Sequence, residues 1–284
     1  MRQAYGAGQR HPPPGPPAPV RVPVPVPVPV ARVNVVTITV AVAGATGKMG
    51  RLATRLIDEA DDLQLHAGLD SSSSLDELAG ADVVLDVTHP AASAAIVEAA
   101  IEAGAAVVVG TSGWSRERIA EVETRLREAD ATTGVIFVPN FSIGSVLGSA
   151  FAAFAARHFD SIEIVETHHA GKVDSPSGTA VRTAELIAAS RGELGPVSAP
   201  HADQRARGQL VSGVPIHSLR MDGILADQRV VLGAPGESLQ ITHSTIAATA
   251  YEAGILLALR RAASAEGVTV GLDALLGLEL PDGR

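Results

Sequence analysis

From Val33 to Ala43 almost every residue is apolar and many are β-branched, and the run stops at Gly44. Such a run suits a strand buried on both faces, the condition of central strands in a parallel sheet. Gly44, Gly47 and Gly50 follow at even spacing. Beyond them Met49, Leu52, Ala53, Leu56, Ile57 and Ala60 keep the i, i+3, i+4, i+7 interval of an amphipathic helix. A buried strand, a glycine turn and a helix commit the chain to a crossover, so the next strand must run parallel to the first.

The rhythm repeats. Strands are expected at Leu63–Leu69, Asp82–Thr88, Ala105–Gly110 and Gly134–Pro139, with helices at Pro90–Ala103 and Ser115–Ala129. After residue 140 the order changes. A helical stretch at Ile143–Arg157 precedes a strand at Ser161–Thr167 and a helix from Pro176 to about Ser190. Strand-like runs then cover Val214–Met221, Gln228–Leu232 and Ser238–His243, and a long helix runs from about Thr245 to Ala263. The expected fold class is α/β, a Rossmann-type doubly wound parallel sheet plus a smaller α+β domain with a mixed sheet. The first domain takes residues 33–139 and 248–284, the second 140–247. Residues 1–32 are proline-dense and read as a disordered or polyproline-II tail, either a ligand for a proline-binding module or dispensable.

The glycine spacing suits a nucleotide. Glycine permits the tight turn and the approach of backbone to pyrophosphate, and the helix start at Lys48 offers free amides to it. Asp70, closing the second strand, would accept from a ribose diol. A Walker loop does not fit, because Met49 stands where a hydroxyl is needed. Loops with Thr88 and with Gly110, Thr111 and Gly113 fall at strand ends, where such sheets bind ligands. A turn that only packs helix on sheet is the alternative. Ser71 follows Asp70 while Lys48 and Arg51 stand nearby, so NADH and NADPH both remain open as cofactor.

The densest chemistry lies in Glu166–Ala180. His168 and His169 are candidate general acids near neutral pH. Lys172 supplies a cation. Ser175-Pro176 reads as N-cap and N1 of a helix, which would turn the amides of Ser177, Gly178 and Thr179 outward to an anion. No metal is expected, since adjacent histidines point apart and no acidic third ligand is near. Cysteine is absent, which excludes thiol catalysis and disulfides and fits a reducing cytoplasm. A net charge of -9 argues against nucleic-acid binding, and no apolar run is long enough for a membrane span.

Together these segments resemble the dihydrodipicolinate reductase family over residues 34–284. The likeness rests on Glu166–Ala180, Val42–Arg51, Asp86–Pro90, Val109–Gly113, Pro139–Gly144, Ile216–Arg220 and Val268–Leu276. The resemblance implies NAD(P)H-dependent reduction of a cyclic dicarboxylate in lysine and diaminopimelate biosynthesis. It makes His168 the proton donor and Lys172 its catalytic partner, with His169, Ser177, Gly178 and Thr179 on substrate. Gly44, Thr46, Gly47, Lys48, Met49, Gly50, Asp70, Thr88, Gly110, Thr111, Gly113, Asn140 and Phe141 would hold the nucleotide. It also implies a homotetramer joined through the second sheet. The chain departs from the family at Ala247 and Ala248, where an Asp/Ser-Arg pair is usual. That departure motivates a second reading, a paralogue acting on a related cyclic imine. A non-catalytic nucleotide-binding protein is a third.

Overall fold

The computed structural model describes residues 37–129 and 132–278. The proline-dense stretch and the expected strand start at Val33 lie outside them.

The parallel sheet forms from β1 (Ile38–Ala43), β2 (Leu63–Leu69), β3 (Val83–Asp86), β4 (Ala106–Val109), β5 (Gly134–Phe137) and β11 (Gly267–Val270). Their order is β11-β5-β4-β3-β1-β2, and every neighbouring pair is parallel. The middle strands β3, β4 and β5 are buried at every residue, whereas the edge strand β2 alternates. Burial on both faces therefore explains the continuous apolar runs. Alternation along β1 sends Val40 and Val42 to one core and Ala41 and Ala43 to the other. α1 (Lys48–Glu59) and α6 (Glu252–Ala262) cover the first face, α2 (Pro90–Glu102) and α3 (Arg116–Glu128) the second.

The mixed sheet has order β10-β9-β6-β8-β7. Its strands are β6 (Ser161–His168), β7 (Gln209–Val211), β8 (Val214–Arg220), β9 (Ala226–Ala234) and β10 (Glu237–Thr245). Only the β6–β8 pair is parallel. α4 (Ile143–Ala155), the 3-10 turn that follows it at Ala156–His158, and α5 (Gly178–Arg191) pack Ala152, Ala156, Ala180, Ala184 and Ile187 against Ile162, Ile164, Val230 and Leu232. No helix among the described residues is long and apolar enough to cross a membrane.

Three expectations change. The long helix from Thr245 does not start there, because β10 keeps its ladder to β9 as far as Thr245. A 3-10 turn at Ala248–Tyr251 leads into α6 instead. Val268–Val270 lies in the outer strand β11, whose glycine-flanked Val-Thr-Val alternation is too short to stand out in sequence. The third change concerns the start of α5, described below.

Gly50 explains the third glycine of the turn. A Cβ there would lie 2.1 Å from the Gly44 carbonyl oxygen, a backbone atom that cannot swing away. Gly44 itself has φ +87, and a Cβ would meet the Val87 carbonyl oxygen at 2.7 Å. Overpacking of this kind costs about 1–3 kcal/mol. Gly50→Ala is therefore expected to lower the unfolding free energy by an amount in that range, read as a fall in the urea midpoint with the m-value kept; an unchanged midpoint would show that α1 can move off the turn.

Candidate active site

A cleft of about 410 Å³ runs between the carboxyl ends of the parallel strands and the far end of β6. Met49, Thr88, Gly110, Thr111, Asn140 and Phe141 line it on one side, and His168, His169, Lys172 and Thr179 on the other. Residues far apart in sequence thus share one space, at the strand ends where open α/β sheets take ligands. Thr245 and Tyr251 close the rim. Neither was assigned to the site from sequence.

The strand-end loops are fixed by one buried carboxylate. Asp86 has no exposed surface. Its Oδ1 accepts from the Thr88 amide (3.0 Å), the Thr88 hydroxyl (2.5 Å) and the Thr111 hydroxyl (2.9 Å), and its Oδ2 from the Ser93 hydroxyl. Trp114 Nε1 donates to the same Ser93 oxygen at 2.9 Å. The loops after β3 and β4 are therefore tied together. Phe141 packs beneath Gly110, where a Cβ would lie 2.5 Å from the ring. Gly113, at φ +88, falls outside this cleft and lines the adjoining groove with Gly178.

The glycine turn stands next to it. The amides of Gly44 and Ala45 donate to the Leu69 carbonyl at 2.9 and 3.0 Å, which brings Asp70 beside the turn. Asp70 is exposed, and its Oδ1 accepts from the hydroxyl (2.7 Å) and amide (2.8 Å) of Ser72. Those bonds hold its pKa below the ordinary carboxylate value, the Ser72 hydroxyl contributing most. Gly47 caps α1 without any side-chain bond, and Thr46, Gly47 and Lys48 are exposed. The first amides of α1 are thus left for an outside acceptor. Arg51 folds its guanidinium onto the Thr46 carbonyl and braces the turn. An uncapped helix start and a turn with no room for Cβ atoms fit a pyrophosphate.

The second half is built on β6. Strand alternation puts Ile162, Ile164, Glu166 and His168 on one face, the first pair in the core and His168 at the cleft. The parallel register sets His168 opposite Arg220 of β8. Glu166 has no exposed surface. It receives Arg220 through both guanidinium arms (2.9 and 3.0 Å), His168 Nδ1 (2.6 Å) and the Ser177 amide (3.1 Å). Burial pushes the Glu166 pKa up, but the bonds from Arg220, Ser218 and His168 outweigh it and hold it below the ordinary value. Burial also pulls His168 down, against the bond from Glu166, and the charges of Lys172 and Arg220 add to the lowering. Burial likewise lowers His243, whose Nε2 lies 3.1 Å from the Ser142 hydroxyl.

The start of α5 corrects the sequence reading. The N-cap is Ser177, whose hydroxyl accepts from the Ala180 amide at 3.2 Å, and the helix begins at Gly178. Ser175 and Pro176 precede it in the loop. Two serines in this segment carry cap chemistry, and Glu166 selects the second by taking its amide. Ser177 is accordingly buried, and its amide faces inward rather than outward. The amides that α5 leaves free are those of its first two residues, Gly178 and Thr179. Asn140 Nδ2 donates to the Thr179 hydroxyl (3.0 Å) and to Ser145 (3.1 Å), joining the loop after β5 to α5. Lys172 Nζ donates to Asp174 Oδ1 at 2.8 Å, and Arg220 holds the same turn through the Lys172 and Asp174 carbonyls. His169, the residue after the end of β6, is exposed and lines the same cleft as His168. Ala247 caps the 3-10 turn without a side-chain bond, and both Ala247 and Ala248 are exposed just beyond the rim residue Thr245.

Glu166 and Arg220 were present in the motifs but carried no assigned role. A Glu two residues before a His on a strand, sharing its face, was the available signal.

Two profiles match most of the chain. "Dihydrodipicolinate reductase, N-terminus" covers residues 38–141 and "Dihydrodipicolinate reductase, C-terminus" covers 144–276. A 4-hydroxy-tetrahydrodipicolinate reductase of Clavibacter sepedonicus is 56% identical over 236 residues, spanning 83% of this chain and 85% of the relative. Its namesake from Streptomyces griseus is 45% identical over 241 residues, 83% and 96% of the two chains. Among solved structures, dipicolinate-bound dihydrodipicolinate reductase from Paenisporosarcina sp. TG-14 superposes with a TM-score of 0.71 at 29% identity, covering 84% of this chain and 99% of the other.

The lowered pKa values carry a stability consequence. His168 and His243 sit below 6.5 in the folded chain, so their contribution is complete above pH 6.5 and is lost as pH falls through the lower folded values. Glu166, below 4.5, adds a further loss at still lower pH. Melting temperature is expected to fall as buffer pH drops from 7.5 through 6 to 5. A melting temperature that holds steady across that range would contradict the burial of these histidines.

Proposed function

The chain belongs to the dihydrodipicolinate reductase family, and on that premise we propose that it reduces 4-hydroxy-tetrahydrodipicolinate to tetrahydrodipicolinate in lysine and diaminopimelate biosynthesis. The cleft that unites the strand-end loops with His168 and Lys172 is the observation that supports this most. The two sheets divide the work, the parallel sheet taking the nucleotide and the mixed sheet the substrate. NADH or NADPH would be held at the glycine turn and, when bound, would supply the hydride. Gly44, Thr46, Gly47, Lys48, Met49 and Gly50 would hold its pyrophosphate, and Asp70 its ribose. Thr88, Gly110, Thr111, Asn140 and Phe141 would shape the space for its ring, with Gly113 beside them.

The chain's own residues then bind and protonate. The Gly178 and Thr179 amides and Lys172 take the substrate carboxylates, because free helix-start amides and an ammonium favour anions. Lys172 exchanges Asp174 for a substrate carboxylate in doing so. His168 delivers the proton from Nε2. A dianion beside it offsets the charges of Lys172 and Arg220 that lower its pKa, so substrate binding itself favours the protonated ring. His169 lies at the cleft edge, where it can donate to a carboxylate. Ser177 serves beneath the site, as cap and as a partner of Glu166.

In an assay coupled to the enzyme that makes the substrate, NAD(P)H absorbance is expected to fall only when the wild-type chain is present. General acid catalysis contributes about 10²–10⁴-fold. His168→Gln is expected to lose kcat on that order with nucleotide affinity kept, and Lys172→Ala to raise KM. No turnover by the wild-type chain, or full turnover by the double variant, overturns the reading.

A cytoplasmic homotetramer completes the proposal. Copies would pair through the face of the mixed sheet turned away from α4 and α5, where Leu219 is 40% exposed. Light scattering on the purified chain is expected to give four times the monomer mass; a monomer at working concentration contradicts the assembly.

A further inference from the structure

Glu166 does more than bury a charge. A neutral histidine has two tautomers, and which ring nitrogen carries the proton is set by the bond made at the other. Here His168 Nδ1 lies 2.6 Å from Glu166 Oε2. Glu166 has no exposed surface and is held ionised by Arg220, so it can only accept. Nδ1 must therefore bear the hydrogen, and Nε2 is the ring atom left for the cleft that His168 lines. The same carboxylate receives the Ser177 amide at 3.1 Å, and Arg220 also donates to the Lys172 and Asp174 carbonyls. The proton donor, the lysine turn and the helix start that meets the substrate thus hang on one pair of oxygens.

We propose that Glu166 is the positioning residue of the proton donor: it takes the Nδ1 hydrogen of His168, keeps Nε2 toward the substrate, and through Arg220 and the Ser177 amide holds the histidine in register with the Lys172 turn and α5. During the step the Nε2–H bond breaks and the proton passes to the substrate atom made electron-rich by hydride addition. The ring returns to its neutral Nδ1–H form, and Glu166 stays ionised throughout. This is how a carboxylate on one ring nitrogen orients an acid–base histidine without itself being protonated. The inference rests on the proposed role of His168.

Glu166→Gln tests it, because an amide carries no charge and has one acceptor oxygen where the carboxylate uses two. With NH₂ toward the ring, Nδ1 becomes the acceptor and the hydrogen moves to Nε2. The charged groups around His168 are Glu166 on β6, Arg220 on β8, and Lys172 with its partner Asp174 on the turn. Removing the Glu166 charge takes away the carboxylate beside the ring and leaves Arg220 without its partner, so the imidazolium loses its proton more readily. Activity that needs the protonated ring is lost as pH rises, and that loss is expected at lower pH in the variant. Turnover is expected to drop about ten- to hundredfold, a part of what an acid catalyst supplies, with nucleotide KM unchanged. Glu166→Asp keeps the charge and is expected to hold the alkaline limb near its wild-type position while recovering part of kcat. A Glu166→Gln enzyme that is slower but has an unmoved limb makes Glu166 merely structural and overturns the proposal.

Nitrogen-15 spectra of the histidines in the ligand-free wild-type chain decide the matter even if the variant does not fold. His168 is expected as the Nδ1–H tautomer above its pKa, and the Nε2–H tautomer would sink the inference. The measurement needs no turnover. An inactive wild-type chain with the Nδ1–H ring therefore overturns the reaction and supports the geometry, whereas an active one with the Nε2–H ring overturns the geometry alone.

Discussion

Glu166 is a carboxylate with no exposed surface in the middle of a strand, and the mixed half of the molecule is arranged to keep it there. Taking such an ion out of water costs several kcal/mol, and Arg220 is largely withdrawn with it. The cost is offset by a two-armed guanidinium, a ring N–H and a backbone amide, each charged hydrogen bond contributing about 1.5–3 kcal/mol. That balance has a structural consequence. β6, β8, the Lys172 turn and the start of α5 cannot shift independently, since each places a donor on, or a carbonyl near, the same group. A purely apolar pair could have been as stable. It could not have fixed the direction of a histidine.

The parallel half uses the same device. Asp86, equally buried, collects hydroxyls and an amide from two strand-end loops and one helix. Both halves therefore end in a buried carboxylate whose partners aim polar groups at a shared cleft. Asn140 bridges them, from the loop after β5 to Thr179 on α5.

Much of this was legible in the residues. Continuous apolar runs announced β3, β4 and β5, because burial on both faces removes any need for polar alternation. The glycine turn was legible for a steric reason, since only glycine fits where Gly50 meets the Gly44 carbonyl. What escaped depended on distant partners. Ser175 followed by proline is a good local cap, yet Ser177 takes the place because Glu166, eleven residues upstream, binds its amide. β10 runs on to Thr245 because β9 lies alongside, so the following helix starts later than its own composition suggests. β11 is a strand because β5 offers it an edge. The missing Asp/Ser-Arg pair falls at Ala247 and Ala248, exposed positions between the cleft-lining Thr245 and Tyr251, where the turn has no side-chain cap.

The sequence by itself determined most element types, the parallel sense of the first sheet and the chemical kinds of the site residues, because period, glycine placement and side-chain identity are local properties. Only the tertiary structure decided which donors are spent and which are free. It turned the Ser177 amide inward, left the Gly178 and Thr179 amides at the surface of α5, and set one nitrogen of His168 on Glu166. Those outcomes follow from how two buried carboxylates are satisfied, and satisfaction is a property of neighbours in space.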